Sequence, residues 1–95
     1  MSWDEMLAQL KIDLGIVSIA YDARFRVLLQ TAYDSITREG IELQPTLPDH
    51  ADLVVSYAAW LWRKRDSGDG LPRWLRWRMN NLLLEQKMSG GVLDE

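Results

Sequence analysis

The chain has no cysteine, one histidine and three prolines in 95 residues. Without cysteine there is neither a disulfide nor a thiolate metal site, which fits a reducing compartment. The lone imidazole, His50, lies beside Asp49 and Asp52, and a closed metal site there would need carboxylates from elsewhere in the chain. A capping cluster at a helix start, with a bystander histidine, is the simpler reading. Glycine-rich phosphate loops are missing too: Gly68-Asp69-Gly70 lacks the preceding strand, the lysine and the downstream pattern, and Ser89-Gly90-Gly91 reads as a tail. No serine or tyrosine has a base close in sequence. No catalytic residue, cofactor-binding residue or metal ligand is therefore assigned, and the expectation is a protein that is not an enzyme and carries no cofactor. No apolar run approaches the roughly 20 residues that cross a bilayer. No basic-then-apolar opening marks a signal peptide. Neither an internal repeat nor a sustained heptad is present, and no membrane contact is expected.

What the chain does have is apolar residues, tryptophan and an uneven charge. Its length is that of one domain, large enough to bury roughly 60–70% of its unfolded surface and fold without staples. The net charge of −3 conceals a division. Residues 1–62 hold nine acids and four bases, a net of −5, and residues 63–78 hold six bases and two acids, a net of +4. Four of the five tryptophans, Trp60, Trp62, Trp74 and Trp77, lie in or just before that basic stretch. Interleaved basic and aromatic residues serve either phosphate contact or a protein interface, where both types are enriched.

Periodicity predicts an all-α protein: a bundle of about four helices around a buried third helix. Ser2 and Glu5 form a capping box ahead of the stripe Trp3, Leu7, Leu10 and Leu14, and Gly15 ends that helix. Ser18 is the expected N-cap of a second helix, whose face is Tyr21, Phe25, Leu28, Leu29, Ala32, Tyr33 and Ile36. Asp22/Arg26 and Asp34/Arg38 stand four apart in the favourable order for surface pairs. Gly40 ends this helix, with Ile41 folding back onto it. Residues 40–48 are read as an irregular loop, with a short strand at Ile41–Leu43 as the weaker option for want of a partner. Pro48 and Asp49 open the third helix, which is apolar on nearly every side from Ala51 to Trp62 and so must be covered nearly all round. Leu53, Val54, Tyr57 and Leu61 are taken as its own-core face. The helix runs to about Arg65, and Asp66 to Gly70 reads as a turn.

The last helix, opening at Leu71-Pro72 and ending near Met88, has two apolar faces. Leu75, Met79, Leu82 and Leu83 make one; Trp74, Trp77, Leu84 and Met88 make the other. The second face is either covered by Trp3 and the first helix or is a subunit interface. Residues 1–88 are expected to form a single helical domain and 89–95 a flexible C-terminal tail.

The order of several short blocks carries a resemblance. They are Asp13-Leu14-Gly15-Ile16 with Tyr21-Asp22, then Arg38-Glu39-Gly40-Ile41, then Ala51 through Leu61 with Arg63-Lys64-Arg65. Leu71-Pro72-Arg73-Trp74-Leu75-Arg76-Trp77, Asn80-Asn81 and Gln86-Lys87 complete the set. In this order, over roughly residues 6–88, the chain resembles the small head–tail connector proteins of tailed bacteriophages, also called head-completion or DNA-packaging adaptor proteins. The resemblance implies a mostly helical virion protein, of phage or prophage origin. It implies a ring of identical subunits beneath the portal, adjoining a tail-side adaptor, through which DNA passes transiently. Before assembly such a subunit resides in the host cytoplasm. Trp62, Trp74, Trp77, Leu84 and Met88 are then the expected subunit interface. Arg63, Lys64, Arg65, Arg73, Arg76 and Arg78 are expected to bond a neighbour or line the channel. The other expectation, independent of the resemblance, is a small helical nucleic-acid-binding protein using the basic, tryptophan-rich stretch 60–78.

Overall fold

The computed structural model describes residues 1–64 and 70–94, with the side chains of 89–94 outside that description. Four helices follow one another: α1 (Trp3–Leu14), α2 (Asp22–Arg38), α3 (Pro48–Lys64) and α4 (Arg73–Asp94), with a 3-10 turn at Ile19–Tyr21. No strand occurs among the described residues. The fold is the expected all-α bundle, with α3 at its centre, packed against α1, α2 and α4.

The ends of α1 follow from its sequence. Ser2 Oγ accepts from the Glu5 N–H at 3.1 Å, and Glu5 Oε1 accepts from the Ser2 N–H at 2.9 Å. Each side chain satisfies a backbone donor that the helix itself leaves unpaired. At the other end Gly15 takes φ 70°, a left-handed conformation open to glycine at little cost. The Gly15 N–H then reaches the Ile12 carbonyl and the Ile16 N–H reaches that of Lys11, closing a Schellman turn.

The entry to α2 differs from expectation. Ser18 caps the 3-10 turn, accepting from the Ala20 N–H at 3.0 Å, and α2 begins only at Asp22. The same-helix pairs Asp22/Arg26 and Asp34/Arg38 are not formed. Asp22 bonds Lys11 of α1 at 2.8 Å, Arg26 reaches Asp4 of α1 at 2.9 Å, and Asp34 accepts from Gln30. For Asp22 and Arg26, packing α1 beside α2 offers partners across the interface, and these displace a surface pair worth only about 0.2–0.5 kcal/mol.

Phe25, Leu28, Leu29, Ala32 and Ile36 of α2 are buried as expected, with Tyr33 half-buried against Trp3 in an edge-on contact of 5.6 Å. On α3, Ala51, Leu53, Val54, Val55, Ala58 and Ala59 are all buried. Tyr57 and Leu61, expected on the own-core face, are only half-buried, while Val55 and Ala59, which that face did not include, are buried. The chain covers α3 from three sides, so the core follows the small residues that let neighbouring helices approach.

The loop between α2 and α3 is irregular and firmly held. Gly40 (φ 95°) turns the chain so that Ile41 and Leu43 plug the core. Between them, the Glu42 N–H donates to Gln86 Oε1 at 2.9 Å and the Glu42 carbonyl accepts from Gln86 Nε2 at 2.8 Å. One glutamine amide thus satisfies both backbone groups that a strand partner would have satisfied. His50 Nδ1 accepts from the Gln44 N–H at 2.9 Å, and the Pro45 carbonyl accepts from the N-terminal ammonium at 2.7 Å.

The expected turn from Asp66 to Gly70 lies outside the described residues except for Gly70, and Arg65 lies outside them as well. Helix α4 does not stop near Met88: its backbone continues through residues 89–94, the stretch expected as a tail. No proline follows Met88, and Ser89-Gly90-Gly91 lowers helix propensity without forbidding the conformation.

Candidate functional site

Helix α4 divides lengthwise. Leu75 and Met79 are fully buried, and Leu82 and Leu83 pack partly buried against the same core. Cross-links to the body hold this face down. Arg76 pairs with Glu39 at the end of α2, Arg78 with Asp52 of α3 at 3.0 Å, and Gln86 grips the loop at Glu42. These charges are substantially exposed, so each pair orients α4 more than it stabilises the fold, contributing roughly 0–1 kcal/mol.

The opposite face is largely exposed among the described residues. Trp74 is 52% exposed, Trp77 68%, Leu84 55% and Met88 62%. Trp77, Leu84 and Met88 recur at intervals of seven and four residues, and so line up along one side for about 16 Å at 1.5 Å rise per residue. Of the two readings of this face, cover by Trp3 and α1 is overturned: Trp3 packs on Tyr33 instead. Four large apolar side chains on one side of one helix form a patch of the kind that marks a protein-binding surface.

Trp62, expected at the same interface, is elsewhere. Its ring stands edge-on to Phe25 at 4.9 Å and to Tyr21 at 5.5 Å, roofing the α2–α3 contact. Its place three residues after Ala59 on α3 turns it toward α2, whereas Trp74 and Trp77 belong to α4. Of the five expected interface residues, four come together and Trp62 does not.

The basic residues scatter in the same way. The Arg63 guanidinium donates to the Asp13 carbonyl at the end of α1, at 3.3 Å, and Lys64 Nζ lies over the Trp60 ring, 4.6 Å from its centre. Arg76 and Arg78 are taken up by the ion pairs above, and Arg65 lies outside the described residues. Arg73, exposed at the start of α4, has no ion pair among the described residues. No single basic stripe results.

Two features were not read from the sequence. One is a groove of about 780 Å³ between the start of α3 and α4, lined by Leu47, His50, Leu53, Trp77, Asn81 and Leu82 among others. Within it the Asn81 side-chain nitrogen is buried without a hydrogen-bond partner. The other is a second exposed apolar cluster, Ile12, Val17 and Ile19, around the Gly15 turn. Its signal was available: Ile12 stands on the side of α1 away from Leu7, Leu10 and Leu14. Among the described residues no group of three or more histidine or acidic side chains converges as a metal site. Among the same residues no helix is long and apolar enough to cross a membrane.

Compared with protein-family models, with curated proteins and with solved structures, the chain matches none.

Proposed function

We propose that this chain is a structural, non-catalytic subunit of the head–tail connector of a tailed bacteriophage or prophage. It joins a ring beneath the portal, meets a tail-side adaptor on the other side, and lets packaged DNA pass. The observation that carries the reading is the uncovered stripe of α4, Trp74, Trp77, Leu84 and Met88, on a helix whose other face is anchored in the core. Such a stripe is what a subunit in a ring presents to its neighbour, and it accompanies the block order by which the chain resembles connector proteins. A ring requires each subunit to offer one surface to the preceding copy and a different one to the next. The proposed location is the head–tail junction of the virion, with the host cytoplasm as the place of synthesis.

The competing reading, a nucleic-acid-binding protein built on the stretch 60–78, is less well supported by the geometry. Arg76 and Arg78 are engaged in ion pairs, and Arg63 is turned to α1. Arg76 and Arg78 are compensated within the chain, whereas phosphate binding relies on bases that release counterions from the nucleic acid.

The test is to purify the protein, add the portal encoded in the same genome, and image the mixture by negative stain beside size-exclusion light scattering. The expected outcome is a ring of this chain seated on the portal, even where the isolated protein is monomeric. A strict monomer with no affinity for the portal or any tail component would overturn the proposal. DNA binding that weakens steeply with salt, without portal binding, would favour the alternative.

A further inference from the structure

The segment that plugs the core between α2 and α3 has two backbone edges, and Gln86 covers one of them. The Glu42 N–H donates to Gln86 Oε1 and the Glu42 carbonyl accepts from Gln86 Nε2, so both groups of this residue point the same way. No peptide bond among the described residues is cis. Across a trans peptide the carbonyl and the N–H point in opposite directions. The Ile41 carbonyl and the Leu43 N–H therefore point away from Gln86. Neither has a hydrogen-bond partner among the described residues, whereas the Gln44 N–H that follows is taken by His50.

There is room beside this second edge. A groove of about 550 Å³ runs along Gly40 to Gln44 and is walled by Tyr33 and Thr37 of α2, with no α4 residue in its lining. A carbonyl and an N–H that flank one residue are what a strand offers an antiparallel neighbour on either side of a non-hydrogen-bonded pair. The charged residue in the lining is Glu42, exposed and without an ion pair among the described residues. A second copy paired through the same segment sets Glu42 opposite Glu42, and like charges directly opposite destabilise a strand pair. A base in that position is favourable.

We propose that this edge binds an extended segment of another protein, added as an antiparallel strand with a lysine or arginine opposite Glu42. The residue before the base accepts from the Leu43 N–H, and the residue after it donates to the Ile41 carbonyl. Main-chain bonds supply the affinity, and the opposed charges select the sequence. Such a partner is open to this chain whether or not it is a connector subunit.

The probe is an acetylated, amidated pentapeptide of valine and threonine around a central lysine, titrated into the isotope-labelled protein and followed by amide NMR. At millimolar peptide the Leu43 amide should shift and its exchange with solvent should slow severalfold. A methyl on the backbone nitrogen after the lysine removes the donor to Ile41 and should weaken binding severalfold. A methyl on the lysine's own backbone nitrogen, which turns outward, should not. In Glu42→Lys the preference should pass to the glutamate-centred peptide. That substitution changes an exposed side chain and leaves both Gln86 bonds, which the backbone makes. A Leu43 amide that does not respond overturns the site. Any other pattern of response to the two methyls overturns the antiparallel pairing, and an unchanged preference in Glu42→Lys overturns the basic partner.

Discussion

Helices α3 and α4 are apolar on more than one side, and the chain treats them oppositely. Helix α3 is enclosed: α1, α2 and α4 cover it, and its small residues Ala51, Ala58 and Ala59 let those neighbours come close. Helix α4 keeps one face inside and leaves four large side chains in water. Apolar sequence on all sides therefore means burial by the chain itself in one helix and an unoccupied surface in the other. The difference lies in the available neighbours. A central helix in a four-helix chain has three, whereas the last helix has only the body it leans on.

Mutations should fall on either side of that division. The largest effect is expected from Phe25→Ala, which empties a fully buried site under Trp62 and should cost about 3–5 kcal/mol in chemical denaturation. A loss of less than about 1 kcal/mol would mean that the α2–α3 core is not packed as described. Leu75→Ala comes next, at about 2–5 kcal/mol, because it removes an anchor of the inner face of α4. Hydrogen exchange should then show α4 opening ahead of α1–α3, and uniform loss of protection would indicate that α4 is as integral as α3.

Smaller effects test the periphery. Ser2→Ala removes the cap of α1 and should cost about 1 kcal/mol. The Ser2 backbone N–H first, then the Ser2 hydroxyl and the N-terminal ammonium, hold the Glu5 carboxyl below its ordinary value. A lowered folded-state value means that the unfolded chain binds the proton more readily, so this contribution is whole above the ordinary glutamate range. It fades as pH falls and is lost below Glu5's own lowered value. Thermal melts of wild type and Glu5→Gln should therefore converge in acid and separate toward neutral pH. The smallest stability change, within about 0.5 kcal/mol, is expected for Trp77→Ala, because that ring is mostly in water. Its effect should appear in assembly instead. A clear loss of stability with assembly intact would reverse the roles assigned to the two faces of α4.

Much of this arrangement was legible in residue spacing. The capping box, the glycine that ends α1, the apolar face of α2, the enclosed α3 and the two faces of α4 all rest on local rules, and the structure follows them. What spacing could not convey was choice among partners. Asp22 and Arg26 satisfy the rule for a same-helix pair, yet each bonds α1, because only the fold brings Lys11 and Asp4 within reach. Trp62 belongs to the same tryptophan-rich stretch as Trp74 and Trp77, but it is on another helix and turns to Phe25. Ile41 and Leu43 alternate as a strand would, and a single glutamine side chain takes the place of the partner strand. In the candidate surface, four residues were readable because they share one helix. The basic residues were not, since their pairing depends on Glu39, Asp52 and Asp13, all distant in sequence.

The claim that the outer face of α4 is a surface for assembly is tested most directly by hydroxyl-radical footprinting of the free and portal-bound protein. The account predicts that Trp74, Trp77 and Met88, reactive in the free chain, become protected on the portal, while buried Met6 and Met79 stay unreactive in both. Equal labelling of Trp74, Trp77 and Met88 in the free and bound states would contradict it.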